Sequence, residues 1–110
     1  MTFLPGSPQV TLAEIANSQR LLVHCWASWN AHDRVLGQRL NAVRKDFEHS
    51  LLFRSCDIDD PHFAETLRAW NVLNVPALVL LERGHKRGVK YGALSEQDLT
   101  VFLREWADQP

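Results

Sequence analysis

Leu21-Leu22-Val23-His24-Cys25-Trp26-Ala27-Ser28-Trp29-Asn30-Ala31-His32-Asp33-Arg34 decides the fold. Its first half, Leu21 to Ala27, is a nearly continuous apolar run. That length suits a strand buried on both faces, as in a parallel sheet. From about Ala31 the period changes. Leu36, Leu40, Val43 and Phe47 recur at helical spacing through about Glu48. A buried strand running straight into an amphipathic helix is the opening of a strand–helix–strand unit.

Leu51 to Asp57 returns to a strand and Asp57-Ile58-Asp59-Asp60-Pro61 closes it. Phe63, Leu67 and Trp70 mark a third helix. Ala77 to Leu81 is again a strand, with Pro76 at its start, where a missing N–H is tolerated. Gly84 and Gly88 bracket a predicted turn, and Gly88 to Tyr91 is the last strand, in an antiparallel hairpin. Ser95-Glu96-Gln97-Asp98 caps a final helix with a stripe of Leu99, Phe102, Leu103 and Trp106. Upstream, Thr11-Leu12-Ala13-Glu14 has capping-box spacing and predicts a short helix to about Ser18. Residues 1–10 read as a loose lead-in, with Phe3 and Leu4 as a short edge strand. Together these predict one α/β domain over 1–110. It is a three-layer α/β/α sandwich whose mixed sheet has parallel central strands and an antiparallel C-terminal hairpin.

Composition excludes several functions. Lys and Arg total 12 against 13 Asp and Glu, a formal net charge of -1. That balance gives no basic face for nucleic acid and no polybasic membrane anchor. Two cysteines in 110 residues exclude a disulfide-dense scaffold and a Cys-rich zinc site. The longest apolar runs, such as Val75 to Leu81, are too short for a bilayer, and Met1 to Pro8 carries no export signal. The expectation is a cytoplasmic protein with reduced thiols, a monomer or weak oligomer, without a cofactor or metal. No P-loop, Gly-rich dinucleotide turn or nucleophilic Ser elbow is present. Asp57, Asp59 and Asp60 lack the spacing of a calcium loop. Arg83, His85, Lys86, Arg87 and Lys90 read as a solvated turn that discourages edge pairing.

Four stretches, in order, resemble the thioredoxin family. Val23 to Trp29 is similar to the strand leading to the family's active-site tryptophan. Asp57-Ile58-Asp59 resembles its strand-end motif, Val75-Pro76-Ala77 its cis-proline, and Gly92-Ala93-Leu94-Ser95 its turn into the last helix. The resemblance covers roughly Leu12 to Trp106 and implies the thioredoxin fold.

The departure lies where the family has Trp-Cys-Gly-Pro-Cys-Lys. Here the residues are Trp29-Asn30-Ala31-His32-Asp33-Arg34. Dithiol exchange needs a nucleophilic thiolate and a resolving thiol; Asn30 and Asp33 supply neither. Asn30 is a preferred N-cap residue, and Asp33 falls in the first turn, where a carboxylate suits the helix dipole. These residues read first as stabilisers of the helix start. Two alternatives stand beside that: a His32/Asp33 binding or acid–base pair, and noncovalent recognition by the surface around them.

Cys25 and Cys56 are expected to be buried and inert. The resemblance puts them near each other on one sheet face. His24 stands where the family has a buried acid and is expected to be a hydrogen-bonded core histidine. A metal site from His24, His32 and Asp33 lacks a spacing motif. In the family, the backbone before the cis-proline pairs with an extended substrate. The resemblance therefore implies a peptide groove of Trp29, Val75, Pro76, Gly92 and Ala93, which needs no cysteine. The expected function is a non-redox, protein- or peptide-binding, chaperone-like or assembly module. The alternatives are residual thiol–disulfide activity through Cys25 or Cys56, a repurposed His32/Asp33 site, and a subunit of a larger complex.

Overall fold

The computed structural model describes residues 7–107; the edge strand expected at Phe3 and Leu4 lies outside them. In chain order the elements are α1 (Leu12–Asn17), β1 (Leu21–Trp26), α2 (Ala31–Val43), β2 (Leu52–Asp57), α3 (Ala64–Ala69), β3 (Ala77–Glu82), β4 (His85–Tyr91) and α4 (Glu96–Ala107). Single 3-10 turns at Arg44–Asp46 and Pro61–Phe63 follow α2 and precede α3. The predicted capping box at α1 is formed: Glu14 N–H donates to Thr11 Oγ1 at 3.1 Å and Thr11 N–H to Glu14 Oε1 at 3.0 Å. At α4, Ser95 Oγ accepts from Asp98 N–H at 3.1 Å.

The sheet order is β2-β1-β3-β4. β1 runs through its centre and is buried along its whole length. Leu22 faces one side with Phe53, Leu78 and Leu80, and α2 and α4 cover that side with Leu36, Leu40, Leu99, Leu103 and Trp106. Leu21, Val23 and Cys25 face the other side, packed with Val10, Phe63, Leu67 and Trp70. The three-layer α/β sandwich is therefore as expected.

Among the named strands, parallel pairing joins β1 to β2, and an isolated parallel bridge joins Gln9 to Ser55 of β2; β3 is antiparallel to β1 and to β4. Helix length explains the difference. α2 has 13 residues, about 20 Å of rise, which matches a six-residue strand and returns the chain to the sheet's other end. α3 has six residues, about 9 Å. The chain therefore re-enters the sheet at the end where β2 finished, and β3 must run backwards.

The hairpin also differs from its sequence reading. The turn is two residues, Arg83 and Gly84, both left-handed at φ 51° and 86°. β4 begins at His85, and Gly88 lies inside it opposite Leu80, beside a register shift. Primed two-residue turns need positive φ at both positions. Arg83 is not a residue that advertises one. Its conformation is held from elsewhere: Arg83 N–H donates to Ser18 O, just past α1, at 3.0 Å.

Candidate functional site

The carboxyl end of β1, the start of α2 and the loop before β3 converge at one end of the sheet. Asn30 stands at their junction. Its backbone is extended (φ -107°, ψ 109°), as an N-cap requires. Its Oδ1 accepts from His32 N–H at 2.9 Å, and its Nδ2 donates to Val75 O at 3.2 Å. One amide thus caps α2 and ties it to the loop before Pro76. The Val75-Pro76 bond is cis, as the resemblance implied.

Asp33 is not a surface charge in the first turn. It is 0% exposed, and so is nearly all of His24. His24 Nε2 lies 2.9 Å from Asp33 Oδ1, and Ala27 N–H donates to Asp33 Oδ2 at 3.0 Å. The tautomer of His24 sets which of the two atoms donates across this contact. The partner of Asp33 is therefore His24, from β1, and not His32, which is exposed. The reason is periodic. Asp33 is on the α2 face that also carries Leu36, Gly37 and Leu40, so it points at the sheet, while His32 points away. Only the three-dimensional contact across nine residues reveals this pair. His24 Nδ1 is buried without a hydrogen-bond partner among the described residues. Among those residues, no group of three or more His, Cys, Asp or Glu is arranged to hold a metal ion.

Cys25 and Cys56 are register partners on β1 and β2, on the α1/α3 side, both free and 0% exposed. Burial pushes the Cys25 thiol well above its ordinary range, with Cys56 and Asp33 adding to the rise. Burial, then Asp60 and Asp57, push Cys56 up to about 12. Thiols so placed stay protonated and are poor nucleophiles.

Trp29 is 69% exposed and Leu73 78%. Between them a cavity of about 400 Å³ is lined by Trp29, Ile58, Ala64, Leu67, Arg68, Val72, Leu73, Asn74 and Val75. Of the five groove residues expected from sequence, Trp29 and Val75 line this cavity. Pro76 is buried; Gly92 N–H donates to its carbonyl at 3.0 Å. Ala93 is partly buried against the α2/α4 core. The open space thus lies on the α3 side of Val75. The main-chain edge expected at Val75 is also occupied: Val75 N–H donates to Asn74 Oδ1 at 2.9 Å, beside the Asn30 contact on its carbonyl.

Three supporting residues escaped the sequence reading. Tyr91 Oη donates to Asn71 O at 3.2 Å and accepts Leu73 N–H at 3.3 Å, holding the 71–73 loop. Arg39 Nη1 reaches Ala93 O at 2.7 Å and Leu94 O at 3.0 Å, fixing the turn into α4. Asn74 is the third. For Arg39 and Tyr91 no local pattern marks the contact. Asn74 lies two residues before a proline, which signals a turn but not its side-chain target.

Comparison with known proteins places this site in a family. The family model described as Thioredoxin matches residues 9–105. The chain belongs to the thioredoxin family. A thioredoxin of Buchnera aphidicola subsp. Baizongia pistaciae is 31% identical over 90 residues, covering 81% of this chain and 80% of that one. The thiol:disulfide interchange protein TxlA of Synechococcus elongatus is 27% identical, over 81% of this chain and 47% of its own. In three dimensions, Malassezia sympodialis thioredoxin (Mala s 13) superposes with a TM-score of 0.74 at 14% identity, covering 86% of this chain and 83% of that one. Within this thioredoxin-family chain no Cys-x-x-Cys occurs, since its only cysteines are Cys25 and Cys56. Among the described residues no helix is long and apolar enough to cross a membrane.

Proposed function

We propose that this thioredoxin-fold chain binds an extended protein segment noncovalently, in the cytoplasm, and performs no thiol–disulfide exchange. One observation carries the reading. The residues in place of the two redox cysteines, Asn30 and Asp33, are committed to hydrogen bonds inside the protein, while an exposed tryptophan and an apolar cavity stay open beside them. Exchange needs an accessible thiolate, and both thiols here are buried and free. A net charge of -1 favours a protein ligand over nucleic acid. An apolar cavity with few polar groups suits a large side chain carried on an extended strand.

The names of the relatives carry the competing, redox reading, so the first test is a thiol titration of native and then denatured protein. Two thiols that react only after denaturation support the proposal. One fast-reacting thiol in the native protein overturns it. In parallel, an NMR titration with leucine-containing extended peptides is expected to shift Trp29, Leu73 and Val75 together, with Trp29→Ala weakening binding. Ligand binding undiminished by Trp29→Ala would place the site elsewhere.

A further inference from the structure

We infer that Asn30 and Asn74 occupy, with their own side-chain amides, the main-chain positions through which the groove would hold an extended ligand, so that the groove selects its ligand by side chain. This rests on the reading of the groove as a peptide site. A strand added to a protein edge bonds through a backbone N–H and C=O. Val75 offers that pair beside the cavity. Its C=O takes the Asn30 Nδ2 donor and its N–H takes the Asn74 Oδ1 acceptor. A side-chain amide has the same donor and acceptor chemistry as a peptide unit. The two asparagines therefore stand where the ligand's backbone would be.

The two positions are not equivalent. The Val75 N–H has one hydrogen, and Asn74 uses it. The Val75 carbonyl has two lone pairs, so Asn30 leaves one for a ligand. An incoming strand must displace the Asn74 contact outright. It exchanges one amide bond for another and gains little from its main chain. What remains to reward binding is the cavity, walled by Trp29, Ile58, Leu67 and Leu73, with the exposed Arg68 at its rim. The ligand fitting this arrangement is an extended segment with a large apolar side chain next to a carboxylate. A segment of small side chains has nothing to offset the displaced Asn74 amide.

The test uses two fluorescein-labelled decapeptides, one alternating leucine with aspartate and one alternating alanine with aspartate, followed by anisotropy. The double variant Asn30→Ser/Asn74→Ala frees Val75 while serine keeps a helix-capping hydroxyl. Asn74→Ala alone, which leaves the cap intact, is the second variant. The wild type is expected to prefer the leucine peptide strongly. Asn74→Ala and the double variant are expected to bind it about tenfold tighter, about 1.4 kcal/mol, and to discriminate less against the alanine peptide. Wild-type binding with no gain in either variant overturns this inference and leaves the groove reading standing. No binding of the leucine peptide by any of the three proteins overturns the groove reading and this inference with it. Hydrogen exchange gives an independent check: the Val75 amide is expected to be protected in the wild type and fast in Asn74→Ala. Fast exchange in the wild type overturns the inference.

Discussion

Replacing Asp33 by alanine tests the arrangement beneath the helix start most directly. The carboxylate is 0% exposed and holds two partners, the His24 ring at 2.9 Å and the Ala27 N–H at 3.0 Å. Asp33→Ala leaves the His24 ring nitrogen and the Ala27 N–H buried without that partner. Each orphaned group costs about 1–3 kcal/mol. We expect a loss of about 4 kcal/mol, a large share of the roughly 5–15 kcal/mol that stabilises a domain. The assay is urea unfolding followed by tryptophan fluorescence, since Trp26, Trp70 and Trp106 are buried. With an m-value of about 2 kcal/mol/M, the midpoint should fall by about 2 M. Asp33→Asn should cost less, because its amide oxygen still accepts from Ala27 and its nitrogen donates to Nε2 of the His24 tautomer that carries its proton on Nδ1. His24→Leu in the Asp33→Ala background removes one of the orphans. The double variant should therefore be more stable than the sum of the single losses by about 1–3 kcal/mol. A cost below about 1 kcal/mol for Asp33→Ala, with strict additivity in the double variant, would show that the His24–Asp33 contact does not hold the helix start.

Three further outcomes are expected. The folded pKa of Cys56 is raised from 9.0 to about 12, so its stabilising contribution is complete below pH 9. As pH rises from 9 to about 12 the unfolded thiol loses its proton while the folded one keeps it, and stability falls by up to about 1.4 kcal/mol per pH unit; alkaline urea melts of Cys56→Ala should show a shallower decline. Asn30→Ala loses the helix cap and the Val75 tie together, for about 1–2 kcal/mol, whereas Asn30→Ser should recover the cap's share in the same unfolding assay. Gly84→Ala forces a side chain onto φ 86°, although its Cβ would meet nothing nearer than Ala16 O at 3.5 Å; the expected cost is about 1 kcal/mol of pure backbone strain, read as a small drop in Tm.

Much of the fold was legible because its signals are local. The buried run of β1, the period of α2, the capping box at Thr11 and Glu14, and the stripe of α4 each lie within one element. The missed details all depend on a distant partner. The direction of β3 follows from how far α3 can carry the chain. The tight Arg83-Gly84 turn is held by Ser18. The candidate site divides in the same way. Asn30 as a helix cap was readable, because capping acts over two residues. Its second bond, to Val75 O, spans 45 positions and leaves no periodic trace.

By itself the sequence determined the layer order, the buried faces, the absence of a Cys-x-x-Cys pair and the burial of both thiols. Hydrophobic period and residue chemistry act at short range, and they suffice for those. Tertiary structure alone decided that Asp33 turns inward to His24 rather than pairing with His32. It also decided that the open cavity lies on the α3 side of Val75, and that Val75's own polar groups are already engaged. Those outcomes depend on which side chains meet when separate elements pack, and a buried polar group takes whichever partner the packing brings within about 3 Å.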